Sequence, residues 1–111
     1  MTEPGFSQPM SFAEGRTLVI RFPRFTPRIT FHANDRLTVE VIDGENAGFR
    51  DTVPYRAAEL RTKLVVLSWK EQVGSAVVHV LDMAAGETYT VVAPAQGGLW
   101  SLQGRIIQLA A

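Results

Sequence analysis

Apolar and polar residues alternate in short runs along most of the chain, and turn-forming residues separate the runs at intervals of roughly 8 to 12 residues. Such alternation places every second side chain on one face of a β-strand. The runs are rich in β-branched and aromatic residues, which suit a half-buried pleated surface. The pattern therefore predicts a chain of strands from Arg16 to the C-terminus.

The runs predict eight strands bounded by Gly, Pro, Asn or Asp. They cover residues 17–22, 29–32, 36–42, 49–57, 64–71, 76–81, 87–93 and 99–109. Pro54 lies inside the fourth run and indicates an edge or a bulge, because proline donates no backbone hydrogen bond. Residues 55–66 have some helix propensity, but at most one helical turn is expected there, since proline precedes them and β-branched residues follow.

Eight sequential antiparallel strands leave two open edges unless the sheet closes on itself. The predicted fold is therefore all-β, an eight-stranded antiparallel barrel, with a two-sheet sandwich as the alternative that strand spacing does not exclude. Residues 16–111 form the predicted barrel domain and residues 1–15 an N-terminal arm, with apolar contacts from Phe6, Met10 and Phe12. A homodimer is predicted in which a second copy covers exposed apolar surface.

Composition narrows the class of protein and of partner. The chain has 111 residues, 46% of them hydrophobic and 20% charged, which is typical of one globular domain. Eleven basic residues balance eleven acidic ones, so a nucleic-acid partner is not expected. The sequence has no cysteine, no signal-peptide pattern and no apolar run approaching the ~20 residues that span a bilayer, which together predict a cytoplasmic protein without a membrane partner.

The most distinctive segment of the sequence is residues 66–82, VLSWKEQVGSAVVHVLD. Four further segments are also distinctive: GRTLVIRF, RLTVEVIDGENAGFRDTVPY, GETYTV and GGLWSLQGRI. Together these segments resemble the MoaF-like domain, from Gly15 almost to the C-terminus. Members of that family are small calycin-like barrels, related in outline to lipocalins and to phenolic acid decarboxylase. The resemblance therefore implies a barrel, and it implies no established activity, because the family name derives from genetic neighbourhood.

Phenolic acid decarboxylase has a similar hairpin whose glutamate acts on a hydroxycinnamate inside the barrel, and Ser68, Trp69 and Glu71 resemble that segment. The tyrosine-rich first strand that holds the substrate carboxylate is replaced here by residues 17–21, TLVIR. Glu40 stands where that resemblance implies a ligand-contacting arginine, and it would repel a carboxylate. Glu40 is thus a candidate ligand-binding residue, and decarboxylation of a phenolic acid is disfavoured.

Trp69 decides which face of the fifth strand is buried, because a large indole is rarely left in water. Glu71 is two residues further along the same face, near the barrel mouth where the strand ends. If the following loop comprises residues 72–74, Ser75 lies opposite Glu71, and Val77 and His79 also face inward. With a loop of two or four residues, His79 faces solvent.

A carboxylate and an imidazole on one interior face suit general acid/base chemistry or the binding of an amine. Glu71 is the candidate catalytic residue, and Trp69, Ser75, Val77 and His79 are candidate ligand contacts. A structural role is the stronger explanation of the pattern, since a mouth glutamate paired with Arg or Lys and a bonded histidine also occur in barrels without a ligand.

Two further aromatic residues are assigned from their neighbours. Tyr89 shares a face with Val91 and Ala93, whose apolar character predicts the inner face, where the tyrosine would contact a ligand or reach the rim. Trp100 is expected to close the barrel bottom. His32 and His79 are the only histidines and have no acidic residue at ligand spacing, so neither a metal nor another cofactor is predicted.

Three functional hypotheses are consistent with the sequence. The leading hypothesis is a module that binds one small molecule in the barrel interior. The second is an enzyme that uses Glu71 as a general acid or base on a small aromatic or carbonyl substrate. The third is a filled, ligandless barrel that serves oligomerisation or protein interaction. The size of the interior distinguishes the third hypothesis from the first two.

Overall fold

The computed structural model of the protein describes residues 14–110, and every regular element in that range is a strand. The strands are β1 Thr17–Arg21, β2 Phe25–His32, β3 Arg36–Gly44, β4 Arg50–Arg61, β5 Leu64–Lys70, β6 Ala76–Asp82, β7 Glu87–Ala93 and β8 Trp100–Ala110. Each of the eight predicted runs has its counterpart. No helix that could cross a membrane occurs in residues 14–110.

The sheet closes on itself. Each strand pairs antiparallel with its neighbour in sequence, and β1 pairs with β8, so the order around the barrel is β1 to β8 without a crossover. The two strands that would be edges of an open sheet thus satisfy each other's backbone groups. The predicted closed barrel is confirmed, and the sandwich alternative is excluded.

The barrel interior differs between its two ends. At one end, here called the floor, inward side chains pack into a continuous apolar core; they include Leu18, Phe31, Leu37, Val65 and Leu81. The opposite end, here called the mouth, carries the loops β1–β2, β3–β4, β5–β6 and β7–β8. Antiparallel strands joined in sequence place alternate loops at the same end, so these four loops surround one opening.

Two strands extend four residues beyond the predicted runs, β2 at its start and β4 at its end. β2 begins at Phe25 and contains Pro27, which the strand tolerates because the register with β3 shifts between Thr26 and Pro27. β4 continues to Arg61, four residues beyond the predicted end, and residues 55–66 contain no helix, which agrees with the expectation of at most one turn. Cross-strand pairing with β5 overrides the local helix propensity there.

Pro54 lies within β4 without creating the predicted edge or bulge. The pairing of β4 with β3 ends at Pro54, opposite Arg36, and the pairing with β5 begins one residue later, at Tyr55 opposite Trp69. The missing N–H of the proline therefore falls between two ladders and interrupts neither. The predicted arm contacts of Phe6, Met10 and Phe12 lie outside the described residues.

Candidate functional site

A cavity of about 330 Å³ opens at the mouth of the barrel. Inward side chains of β2, β3 and β5–β7 form its walls, and residues of the loops at the mouth form its rim. Below the cavity, the packed floor closes the barrel. The interior is thus filled at one end and has room for a small organic molecule at the other.

The β5–β6 hairpin supplies the chemically distinctive part of the cavity wall. Its loop comprises residues 72–74, because the Glu71 backbone N–H donates to the carbonyl oxygen of Ser75 at 2.7 Å. With this loop length Val77 and His79 point inward, and both are buried. The inward face predicted for a loop of three residues is confirmed. The side chains of Glu71, Ser75, Val77 and His79 all line the cavity.

Glu71 is half-buried, and the indole Nε1–H of buried Trp69 donates to its Oε2 at 3.3 Å. Burial raises the pKa of the Glu71 carboxyl, the bond from Trp69 opposes the rise, and the nearby carboxylate of Asp51 adds to it. Among residues 14–110, Glu71 forms no ion pair with a lysine or an arginine. Its carboxyl group is therefore free to meet a ligand.

Asp51 fixes the position of this loop, and it was missed in the sequence. Its carboxylate accepts hydrogen bonds from the backbone N–H of Gln72 at 2.9 Å and from the Gln72 Nε2 at 2.5 Å. These bonds join the end of β5 to β4 and so hold Glu71 at the mouth. Strand alternation could have found Asp51, since it shares the inward face with Val53 and Tyr55.

His79 is buried in the cavity wall as a neutral imidazole. Its Nδ1 and the Thr90 hydroxyl are hydrogen-bonded at 2.6 Å, and its ring centroid lies 5.1 Å from that of Trp69 and 6.2 Å from that of Phe22. Burial lowers the pKa of His79 to about 3. The residue therefore offers a ligand a polar but uncharged ring near neutral pH.

Four further aromatic side chains line the cavity beside valines and prolines. Phe22 and Phe25 stack with their centroids 5.1 Å apart, and Phe49 and Trp100 complete the aromatic lining. Trp100 is 54% exposed at the mouth, so its predicted place at the barrel bottom is wrong. β8 runs from the mouth to the floor, which puts its first residue at the rim.

The model of the MoaF-like family matches residues 14–107, almost the whole described chain. The chain belongs to the MoaF-like family. The resemblance predicted from the strand segments is thus confirmed. No curated protein matches the chain.

A crystal structure from Burkholderia vietnamiensis, of a protein provisionally described as a beta-lactamase, is similar to this MoaF-like barrel. The two share a TM-score of 0.84 and 23% sequence identity, over 94% of this chain and 100% of the other. At that identity the likeness demonstrates a common fold. The activity ascribed to the Burkholderia protein is not thereby shown for this MoaF-like chain.

Tyr89 does not face the interior of the MoaF-like barrel. It is 47% exposed on the outer surface, whereas its neighbours Thr88 and Thr90 are buried. The prediction followed the apolar residues Val91 and Ala93. The inner face is instead taken by the threonines, because their hydroxyls are satisfied there by each other and by His79.

Glu40 is also outside the cavity. It lies on the outer face of β3, between the inward residues Val39 and Val41, and its Oε1 accepts a hydrogen bond from Arg28 at 2.7 Å. That bond holds the pKa of the Glu40 carboxyl below its usual value. Its predicted role as a ligand contact in the interior is therefore wrong, since its side chain and the cavity lie on opposite sides of the wall.

The two histidines of the MoaF-like chain lie on opposite faces of the barrel wall. His79 is interior, whereas His32 is exposed and its Nε2 is hydrogen-bonded to Thr38 at 2.8 Å on the outside. Within residues 14–110, no three His, Cys, Asp or Glu side chains come together as metal ligands. The described site offers hydrogen-bonding, acid/base and apolar chemistry.

Proposed function

We propose that this MoaF-like barrel binds one small organic molecule in the cavity at its mouth, in the manner of a calycin. The observation that carries the proposal is the 330 Å³ space itself, apolar on most of its surface and closed below by the packed floor. Small-molecule sites are typically concave and apolar with a few polar groups, and Glu71, Ser75 and His79 are such groups here. A filled oligomerisation barrel would not need this space.

A catalytic role for Glu71 is the second candidate. Its support is the raised pKa of the carboxyl at the edge of a cavity that also contains the neutral ring of His79. A beta-lactamase-type acylation has less support. The Ser75 Oγ accepts a hydrogen bond from the Ala95 backbone N–H, and it has no bond to Glu71 or His79 within the described range.

Filling the cavity tests the proposed binding. Val77 lines the cavity and is 6% exposed, whereas the next residue, Val78, points outward and is 37% exposed. Val77→Phe should place a ring in the cavity and abolish binding of small aromatic fragments, measured by ligand-observed NMR and by amide chemical shifts. Val78→Phe is the matched control and should bind as the parent protein does.

Melting temperatures of both variants distinguish a blocked cavity from a misfolded barrel, because overpacking a buried site also destabilises. Fragments that bind Val77→Phe as well as the parent protein would show that the cavity is not the site. Glu71→Gln separates binding from catalysis: an enzyme would bind its substrate in that variant without turning it over.

A further inference from the structure

The charged side chains that line the cavity are acidic. They are Glu45 at the rim and Glu71 at the end of β5. Glu45 has a cation of its own, since Arg24 Nε lies 3.1 Å from its Oε2 in an exposed pair. Glu71 has only the indole N–H of Trp69 on its side chain in the described structure. One negatively charged group in the cavity is therefore without a counter-ion.

A second carboxylate strengthens the negative potential near Glu71 without being free itself. Asp51 lies close enough to affect the Glu71 carboxyl, and its oxygens already accept two hydrogen bonds from Gln72. The imidazole of His79, which also lines the cavity, is buried and uncharged. An anionic ligand would thus meet two carboxylates and no lysine or arginine among the described lining residues.

The ligand's charge follows from what each class of molecule would do to Glu71. A neutral apolar molecule would displace water from a half-buried carboxylate and leave it without compensation, which is unfavourable. A cation would supply the missing partner through a charge-assisted hydrogen bond. Trp69 and the phenylalanines of the wall present aromatic faces that also attract cations and hold an apolar body.

We propose that the molecule bound at the mouth is an organic cation, a protonated amine carried on an apolar or aromatic body, with Glu71 as its counter-ion. This inference rests on the proposed function and specifies its ligand class. Trp69 orients the carboxylate by donating to Oε2, which leaves Oε1 for the ammonium group. The apolar body then packs against the wall formed by Val77, Val92 and Phe25.

Three probes of similar size test the ligand class on the full chain: 2-phenylethylamine, 2-phenylethanol and 3-phenylpropionate. They share a phenyl ring on a short chain and differ in being cationic, neutral and anionic. Affinities are measured by isothermal titration calorimetry near neutral pH. The amine should bind at least about tenfold more tightly than the alcohol, and the propionate should bind more weakly than both.

Glu71→Gln preserves size while removing the charge, and it should lower the amine affinity to about that of the alcohol. Glu40→Gln makes the same chemical change on the outer face of β3 and should leave all three affinities unchanged. Melting temperatures of both variants confirm that they are folded. The Glu71 variant should still bind the alcohol, because the apolar wall is intact.

Lowering the pH gives an independent readout of the counter-ion. Protonation of Glu71 removes its charge, so amine binding should weaken as the pH falls through the raised pKa of that carboxyl, and the alcohol should show no such loss. Glu71→Gln should remove the difference. Asp51 from β4, Glu45 from the β3–β4 loop and His79 from β6 also face this region and remain in both proteins.

The outcomes separate this inference from the proposed function. Equal binding of amine and alcohol, tighter binding of the propionate, or an amine preference that survives Glu71→Gln would overturn the assignment of an organic cation while leaving a small-molecule site in place. Failure of all three probes to bind, or equal binding in Val77→Phe, would contradict the cavity as a site and the inference with it.

Discussion

At the scale of single residues, His79 shows how a polar group can be part of the core. The ring packs against Trp69 and Phe22, and its Nδ1 is bonded to Thr90, whose hydroxyl lies 3.0 Å from that of Thr88. This chain of hydrogen bonds satisfies polar groups that would otherwise oppose burial. Burial lowers the pKa of His79 to about 3 and so keeps the imidazole neutral, which adds no positive charge to the cavity.

Burial of neutral His79 makes folding stability sensitive to acid. The pKa is about 3 in the folded protein and near the ordinary 6.5 in the unfolded chain. Between these values the unfolded chain binds a proton that the folded chain does not. Stability should therefore fall as the pH is lowered from about 6.5 towards 3, by at most ~1.4 kcal/mol per pH unit. Urea unfolding at a series of pH values measures this slope.

His79→Gln should flatten the acid slope, and His32→Gln, which changes the exposed histidine, should not. Glu71 has the opposite effect on stability: because its pKa is raised in the folded protein, the folded state gains stability as the pH falls through that pKa. Glu71 is therefore left unchanged in every variant that is compared. Parallel slopes in the parent protein and in His79→Gln would contradict a buried neutral imidazole.

The inward residues of the β5–β6 hairpin could be predicted from the sequence. Trp69 identifies the buried face, and Glu71 shares that face because side chains alternate along a strand. Tyr89 could not be placed by the same reasoning. Its strand has apolar residues on one face and threonines on the other, and only a partner from another strand, His79, makes the threonine face the buried one. Glu40 was misplaced because a resemblance was followed instead of the alternation of Val39 and Val41.

At the scale of strands, closure of the barrel depends on a small residue in β8. Gly104 pairs with Thr88 of β7, and a Cβ added to it would lie 2.7 Å from Cε1 of Phe22 and 2.8 Å from Cγ2 of Ile20. Both neighbours are buried and cannot swing into solvent. The glycine thus leaves room on the inner face of β8 for the side chains of Ile20, in the neighbouring strand β1, and of Phe22, just after that strand.

Gly104→Ala should destabilise the protein by about 1–3 kcal/mol through overpacking. Combining it with Phe22→Leu should recover part of that loss, because the shorter side chain leaves room for the new methyl group. Unfolding free energies from urea titration of the parent, both single variants and the double variant give the coupling. Gln103→Ala, at an exposed position of the same strand, controls for changes in strand propensity. If the changes in unfolding free energy of the two single variants simply add in the double variant, the clash with Phe22 is refuted.

Strand positions could be predicted from turn residues and alternation, but strand ends near proline could not. Pro27 and Pro54 are tolerated because of where the hydrogen-bond ladders shift or end. Those points depend on the register of neighbouring strands, which single-strand patterns do not specify. The end of β4 was predicted too early, at Ala57, for the same reason, since residues up to Arg61 pair with β5.

At the scale of the whole molecule, the barrel separates stability from its proposed binding role. The floor holds large fully buried side chains, including Phe31, Leu37 and Leu81, whereas the mouth holds the half-buried Glu71 and the exposed Trp100. The sequence predicts which side chains point inward but not whether they fill the space, because that depends on volumes contributed by all eight strands. The open mouth therefore became visible only in the assembled barrel.

The outer surface of the barrel carries a row of charges beside an open groove of about 770 Å³. Cross-strand partners form the row, in the order Arg21, Arg105, Glu87 and Asp82 across β1, β8, β7 and β6. Two cations are thus followed by two anions. Next to the row, the same face exposes Tyr89.

The predicted homodimer remains a prediction, and this face fits it through its charge order. A two-fold axis parallel to the strands, between β7 and β8, would set Glu87 against Arg105 and Asp82 against Arg21 of a second copy. We expect a dimer by sedimentation velocity at micromolar protein concentration.

Arg105→Glu should shift this dimer towards monomer, because each substituted residue would repel Glu87 of the other copy and two-fold symmetry places two such contacts in the interface. Adding Glu87→Arg to Arg105→Glu restores opposite charges at both contacts and should restore the dimer. Glu40→Gln, on the far outer face, is the control. A parent protein that sediments only as a monomer, or a dimer indifferent to Arg105→Glu, would show that this face is not an interface between copies.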